Sequence, residues 1–581
     1  MLKFTRSLLN SVLGRKRTIE NDDDTSNHDQ SSKKLKTDEN QKSLYRVTVS
    51  NLPVYEIGGI KKLLNDAGLK RIKKAPEWTY AHCFADTKEE AEAAANQLQN
   101  QQYKGKALDI KWEAISPQEH RQAKVTGKKK NKQKAKMWED LGPDLDPHER
   151  LAYQVTPLFK LPYDEQLEKK RKVGVNHIFN LKKQLLKLPL SEENKKQISW
   201  ITKSGLPMEQ VDIIASPEIN GYRTKCEFTI GSDLDGRPTV GFLLGRYAEG
   251  ITSVLNAEKQ IHIPDTAKSI ASAMQDYIRS SNYPIYNRTE KEGVWRTLMT
   301  KTQRTGDVMI LVQASTESLS SNEIQAMKDD LVNYWTERVK KQNIHVTTLL
   351  FQEWDGASNG ITDRVPVQTL YGDGYIYEEL LGCRFRLSSS AFFQVNTPAA
   401  ELLYAKCAEW CNLDKKDSKR KKTTLLDLCC GTGTIGITMA KNVDKVIGVE
   451  MVPEAIVDAK ENAERNGVTN VTYYANKVEE KLNVFQRQGD EQIIAVLDPP
   501  RAGVHASVIR AIRDAKHIDK VIYISCDAKQ ATPNFLSLCR PQSNRFTGLP
   551  FKPKRAISVD LFPHSEPCEL MIEFERVTEE E

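Results

Sequence analysis

The run TTLLDLCCGTGTIGITMAKNVDKVIGVEM, residues 423–451, constrains the fold more than any other part of the chain. An apolar strand enters a turn holding Gly431, Gly433 and Gly436, a helix follows, and a second apolar strand ends at Glu450. Apolar strands alternating with helices build a parallel sheet covered on both faces, and ligands of such sheets sit at the carboxyl ends of the strands. Glycine lets the backbone pass close to a ligand, and an acid closing the next strand accepts hydrogen bonds from ribose hydroxyls. The same spacing suits a dinucleotide-binding dehydrogenase, so the choice rests on what lies downstream.

Downstream, the strand IIAVLDPP delivers Asp498 ahead of Pro499, Pro500 and Arg501. Two prolines end a strand in a turn. They leave unexplained the acid at the sheet edge, which is typical of methyltransferases acting on planar nitrogen- or carbon-centred substrates. The next apolar strand, VIYIS, delivers Cys526. Most single cysteines are small buried apolar residues, but the flanking Ser525, Asp527 and Lys529 argue that the strand has already left the core. The C-terminal ISVDLFPHSEPCELMIEFERV reads as two strands joined by a turn at residues 563–567, with Glu569 opening the return strand and Glu566 a rival carboxylate. A carboxylate partly shielded from water has a raised pKa and is a better base.

A chain of 581 residues exceeds one ordinary core, so two or three domains are expected. Its 39% hydrophobic and 28% charged residues fit a soluble protein, and no apolar run is long enough to span a membrane. The ten cysteines are scattered with no CxxC spacing, which argues for reduced intracellular thiols and against zinc or iron–sulfur ligation; no metal is expected. Lys and Arg exceed Asp and Glu by 85 − 78 = 7, unevenly along the chain.

Residues 1–44 read as a disordered tail. Its start, MLKFTRSLLNSVLGRKR, fits a mitochondrial presequence, while Arg15-Lys16-Arg17 and Lys33-Lys34 fit nuclear import equally well. Residues 45–115 give the strand YRVTVSNLP, the helix EIGGIKKLLNDAGL, the strand WTYAHCFA, the helix TKEEAEAAANQLQN and the strand KALDIKWEA. The arrangement resembles an RNA-recognition motif, with Thr48 where that family carries a base-stacking aromatic. This domain tilts localisation toward nucleus and cytosol. Residues 116–145 form a linker whose stretch 124–136, KVTGKKKNKQKAK, has seven lysines and no acid, a tether suited to phosphates. Residues 146–387 read as a lysine-rich helical segment followed by a β-rich region that shapes substrate, and residues 388–581 as the domain holding the motifs above.

Taken in order, FFQVN (392–396), DLCCGTGTIG (427–436), GVE (448–450), DPPR (498–501), SCD (525–527) and DLFPHSEPCE (560–569) resemble the RNA uracil-5 methyltransferase family. The resemblance implies an α/β fold: a C-terminal Rossmann-like methyltransferase domain that binds S-adenosyl-L-methionine, a β-rich centre and an N-terminal α+β domain like an RNA-recognition motif. It implies Cys526 as nucleophile and Glu569 as base, with cofactor contacts from Gln394, Cys429, Thr434, Glu450 and Asp498. The implied substrate is the T-loop uridine at position 54 of tRNA, flipped out of its stack to be reached. C5 of uracil is too weak a nucleophile unaided, and thiolate addition at C6 activates it. Two alternatives stay open: 5-methyluridine formation in rRNA, including mitochondrial rRNA, and a tRNA-folding chaperone whose catalysis is dispensable.

Overall fold

A computed structural model describes residues 44–53, 58–74, 79–99, 101–115, 145–202, 208, 211–245, 252–338, 344–356, 358, 360–411, 421–486 and 491–578. Those up to 115 belong to one unit and those from 145 to a second. The expected tail (1–43) and nearly all of the lysine-rich linker (116–144) lie outside the described residues.

In the first unit, β1 (Leu44–Ser50), β2 (Lys70–Lys73), β3 (Ala81–Ala85) and β6 (Asp109–Ile115) form an antiparallel sheet in the order β2-β3-β1-β6, and β4 (Gln102–Tyr103) pairs with β5 (Lys106–Ala107). Val47, Val49, Ala81 and Cys83 alternate onto one face, where Ile60, Leu64, Ala91 and Leu98 of the helices Gly58–Asp66 and Lys88–Gln99 meet them. The sequence names three of the main strands. The missing one, β2, reads KRIK and has almost no buried side chain, so no alternation marks it. Thr48 is hydrogen bonded to His82 at 3.0 Å.

The second unit holds two large sheets. β8 (Lys225–Ser232), β9 (Pro238–Leu243), β10 (Val254–Asn256), β11 (Trp295–Thr302), β12 (Val308–Ala314), β13 (Thr348–Glu353) and β14 (Gln368–Tyr371) lie in the order β10-β9-β8-β11-β12-β13-β14, antiparallel except for β12–β13. The helix Asp265–Ser280 covers one face with Ala267, Ile270, Ala271, Met274 and Ile278, an apolar stripe at helical spacing. This is the β-rich region expected between 211 and 387. A hairpin, β15 (Tyr375–Leu380) with β16 (Cys383–Ser388), leads out of it.

The other sheet contains β7 (Asp212–Ile214), β17 (Thr423–Leu428), β18 (Lys445–Glu450), β19 (Val471–Ala475), β20 (Gln492–Leu497), β21 (Ile518–Ser525), β22 (Phe551–Val559) and β23 (Glu569–Arg576), in the order β19-β18-β17-β20-β21-β23-β22-β7. The strands from β19 to β21 run parallel, and β23 runs antiparallel to β21. Strand order reverses between β17 and β20, the point at which such sheets bind ligands beyond their carboxyl ends. Because β23 is reversed, its first residue, Glu569, lies at the same rim as the last residues of β17, β18, β20 and β21.

Helices Thr397–Cys411, Thr434–Met439 and Pro453–Arg465 contribute to the core on one face of this sheet, and Tyr163–Leu185, Ala506–Asp514 and Ala528–Cys539 to the core on the other. Ile178, Leu181 and Leu185 are at most 1% exposed, and burying such a side chain stabilises by about 1.5–3 kcal/mol. Gly174 permits the close approach of that helix: a Cβ there would meet Ser558 Oγ at 2.6 Å. Residues 163–185 and 212–214 therefore pack with the C-terminal sheet although they precede it by some two hundred positions. Among the described residues no helix is long and apolar enough to cross a membrane.

Candidate active site

The rim is assembled by backbone register. Leu428 pairs with Val449 on one side and with Leu497 on the other, so Cys429, Glu450 and Asp498 follow in a row at the strand ends. Asp498 N donates to Leu428 O at 3.3 Å, and Cys429 N to Val449 O at 2.8 Å. Ser525 pairs with Leu570, which places Cys526 and Glu569 opposite each other one step beyond. Cys526 is half-buried, and Glu569 is 2% exposed with its Oε2 lacking any hydrogen-bond partner. Glu566 is exposed on the preceding turn. Asp527, taken from sequence as a sign that the strand had left the core, caps the helix Ala528–Cys539, its Oδ1 accepting from Gln530 N at 3.1 Å, and Ser525 is 4% exposed.

Electrostatics at the rim follow from burial. Glu569 is pushed up to about 8, first by burial, then by Asp498, with Arg501 pulling the other way. Cys526 is pushed up to about 11 by burial and by the Glu569 and Asp498 carboxylates, and Arg501 again opposes. Asp498 keeps a partial opening to solvent, yet burial of its carboxyl raises it to about 7. Arg501 stands in a loop fixed by Asn534, whose Oδ1 accepts from Val504 N at 2.9 Å and from Tyr523 Oη at 2.8 Å. Sequence quoted this arginine without giving it a task.

Around the glycine turn, Cys429 and Gly431 adopt φ of 66° and 53°. The left-handed region is strained for cysteine and free for glycine. A Cβ on Gly431 would meet nothing within 4 Å, whereas one on Gly433 would strike Tyr473 Oη at 2.5 Å. The turn is thus packed from below and open above. Glu450 spans it, with Oε2 accepting from Gly431 N at 3.1 Å and Oε1 from Val452 N at 2.9 Å. Thr434 begins the helix, beside the buried Tyr404 hydroxyl. Asp427, unremarked as a site in the sequence, lies fully buried beneath, pushed up to about 7 by burial; its Oδ2 accepts from Gly436 N at 2.8 Å and its Oδ1 is unpartnered. Buried Thr432 Oγ1 and Tyr473 Oη also lack partners. An open backbone turn, a carboxylate and unpartnered polar atoms fit a nucleoside-bearing cofactor.

Gln394 is 5% exposed and lies in the loop between β16 and the helix Thr397–Cys411. Its loop is tied to the C-terminal turn by Asn396 Nδ2 donating to Leu561 O at 3.2 Å, and at its start Lys301 Nζ donates to Ser388 O at 2.7 Å and Ala391 O at 2.9 Å. Burial pulls Lys301 down to about 7.

The turn that carries Glu569 is clamped by the helix Tyr163–Leu185. Lys170 Nζ meets Asp560 Oδ1 at 2.6 Å, both side chains at most 1% exposed, and also donates to Phe562 O at 2.9 Å. Tyr163 Oη donates to Asp560 Oδ2 at 3.1 Å, and His564 N, at φ 65°, donates to Gln166 Oε1 at 2.8 Å. Nothing in the local sequence separates Lys170 from its exposed neighbours in KKRK.

Residues 419–538 match the family model described as a methyltransferase domain. The chain is 38% identical to tRNA (uracil-5-)-methyltransferase homolog A of Homo sapiens across 75% of this chain and 69% of the human protein. It is 37% identical to tRNA (uracil-5-)-methyltransferase homolog B of Danio rerio across 74% of this chain and 88% of the fish protein. The solved tRNA (uracil-54, C5)-methyltransferase of Pyrococcus abyssi, in complex with S-adenosyl-L-homocysteine, shares the fold, with a TM-score of 0.51 at 20% identity over 72% of this chain and 84% of that one. A rim of this construction, in a chain alike over most of its length to these relatives, belongs to the tRNA (uracil-5-)-methyltransferase family.

Proposed function

We propose that this methyltransferase uses S-adenosyl-L-methionine to convert a tRNA uridine, the T-loop uridine 54, to 5-methyluridine through a covalent adduct on Cys526. The observation that carries the mechanism is the register that sets Cys526 and Glu569 each one step past the Ser525–Leu570 pair, with Cys526 in the field of the Glu569 carboxylate. When bound, the cofactor supplies an electrophilic methyl on a sulfonium. Cys526 Sγ, as thiolate, adds to C6 of the flipped uracil and makes C5 nucleophilic. After C5 has gained the methyl, Glu569 takes the C5 proton, and the re-forming C5–C6 double bond expels Sγ. Burial that raises Glu569 to about 8 fits it to receive that proton near neutral pH. Glu450 and the turn at Gly431 hold the cofactor's ribose end, Asp498, Cys429 and Thr434 line its seat, and Gln394 closes the rim from the loop before the helix Thr397–Cys411.

For the residues before 116 we propose a module like an RNA-recognition motif. The strand order β2-β3-β1-β6 supports it, and the Thr48–His82 bond, standing where a stacking ring would be, supports an auxiliary rather than base-reading role.

The test is tRNA transcribed with 5-fluorouracil. Fluorine at C5 cannot leave as a proton, so a protein–RNA adduct is expected on a denaturing gel, attached to Cys526 and mapped to position 54. Methylation of ordinary tRNA without any such adduct would overturn the covalent mechanism, and an adduct at another nucleotide would overturn the site.

A further inference from the structure

Residues 169–190, KKRKVGVNHIFNLKKQLLKLPL, contain seven Lys or Arg and no acid, and the chemistry above uses one of them, Lys170. The others belong to the helix Tyr163–Leu185 and the residues just after it. The first turns of this helix project past the rim, where Gln166 holds His564; near Gly174, which packs on Ser558, it comes level with the rim, and from there it runs beside Ala528–Cys539, which starts one residue after Asp527. His177 lies within the fields of Asp527 and Lys529. Further along, Gln184, Lys187, Leu188, Leu536 and Arg540 line one cleft of about 300 Å³. The two helices are therefore parallel, and the second carries the surface about 18 Å from the thiol at 1.5 Å per residue.

Along this path Lys183, Lys187 and Lys529 are exposed, and Phe179 presents a 43% exposed ring among them. Arg540 is held over the Phe546 ring at 5.2 Å. Glu168 pairs with Arg171 at 2.7 Å and Lys172 at 3.4 Å, so the uncompensated charge lies toward the cleft end. Seated at Cys526, a reacting base has a phosphate chain running away from it, and about five stacked nucleotides span ~18 Å at ~3.4 Å each.

We infer that the outer faces of these two helices form a docking track for the backbone of the substrate RNA, ending in the Lys187–Arg540 cleft, with Phe179 a stacking platform for an unpaired base. The track rests on tRNA being the substrate. Its occupant is RNA because the cations run from Lys529, three residues past Cys526, to Lys187 and Arg540 at the cleft and flank an exposed ring, the combination that binds a strand without reading its sequence.

The test compares the full chain with the triple variant Lys183→Glu, Lys187→Glu, Arg540→Glu and with Phe179→Ala, measuring tRNA binding against salt and steady-state methylation. The triple variant is expected to lower the slope of log affinity against log salt by roughly two to three and to raise KM for tRNA more than about tenfold. Turnover at saturating tRNA should fall far less, which a misfolded protein would not allow. Phe179→Ala should weaken binding about tenfold with the salt slope retained. An unchanged slope and KM in the triple variant overturn the track. The binding arm reads this even if the parent chain fails to methylate tRNA, an outcome that would instead overturn the substrate assignment.

Discussion

Cys526 and Glu569 stand at the adjoining ends of neighbouring antiparallel strands, each one step past the Ser525–Leu570 pair, and the Glu569 carboxylate acts on the Cys526 thiol. Directly opposed residues of such strands have Cα atoms roughly 4.5–5.5 Å apart. The two reacting carbons of uracil are adjacent ring atoms, so a nucleophile for C6 and a base for the C5 proton must come from adjacent places. Reversal of β23 against β21 brings the proposed nucleophile and the proposed base to one rim.

Replacing the proposed nucleophile isolates its task from binding. Cys526→Ala removes a small half-buried side chain whose loss opens no large cavity. Methyl incorporation should fall by about three orders of magnitude or more, equal to about 4 kcal/mol of barrier. Adduct with 5-fluorouracil tRNA should vanish while tRNA affinity changes less than about twofold. Turnover near that of the parent chain would rule out Cys526 as nucleophile.

Glu569→Gln should divide the reaction differently, because methyl transfer precedes the step that needs the base. Protein–RNA adduct should accumulate on ordinary tRNA, seen as a slow band on a denaturing gel. The same variant has a stability signature. With its pKa raised from 4.5 to about 8 by burial, the folded chain holds a proton here that the unfolded chain has released. Stability from this group is therefore full below pH 4.5 and declines as pH rises toward 8, by up to about 1.4 kcal/mol per pH unit. Guanidinium midpoints at pH 5, 6.5 and 8 should show the decline shallower in Glu569→Gln than in the parent. Parallel curves, with no adduct, would point to another base.

Arg501 opposes the burial that raises both Cys526 and Glu569. In the proposed mechanism both groups lose protons to act, so kcat/KM should rise with pH between 7 and 9. Removing the cation in Arg501→Gln raises both groups further. Its profile should shift to higher pH and its rate at pH 7 should drop several-fold, about 1 kcal/mol, with much of the loss recovered at pH 9. A profile lowered equally at every pH would mean that Arg501 contacts substrate instead of tuning the pair.

What the sequence discloses and what it hides divide along sequence distance. Each rim residue sits at the end of an apolar strand or beside a turn-forming motif, so Glu450, Asp498, Cys526 and Glu569 are legible where they stand, with the α/β alternation of residues 423–525. The clamp is not. Gln166 reaches His564 across 398 positions and Lys170 reaches Asp560 across 390. A buried lysine in a run of basic residues carries no periodic mark, and β7 is three residues long. Gln394 is legible only through its motif, because what holds its loop, buried Lys301, lies in a strand of the other sheet.

Lys170→Met keeps length and burial while removing the charge that faces Asp560. Stripping one partner from a buried ion pair leaves the other uncompensated, at a cost of about 3–5 kcal/mol. The denaturant midpoint of the second unit should fall accordingly. The double variant Lys170→Met, Asp560→Leu should regain most of that stability yet not the turn geometry, because Tyr163 Oη and Phe562 N lose their acceptor. Its kcat should stay depressed with adduct partly accumulated, as expected when Glu569 is misplaced. Full recovery of kcat with stability would reduce the pair to scaffolding.

Glu450 accepts with one oxygen from the Gly431 amide and with the other from that of Val452, and each oxygen retains further acceptor capacity. Hydrogen bonds to a charged group contribute about 1.5–3 kcal/mol each. Glu450→Ala should therefore raise the Kd for S-adenosyl-L-homocysteine, read by calorimetry, by about one to two orders of magnitude, through lost ribose contacts and a loosened turn. Glu450→Gln separates these effects. Its single amide oxygen satisfies only one of the two backbone donors, so the turn loosens while a polar group still faces the ribose, and Kd should fall between parent and alanine variant. Equal Kd values for all three proteins would remove Glu450 from the cofactor site and leave the turn to be held by Asp427, the backbone bond of Cys429 to Val449 and packing on Tyr473.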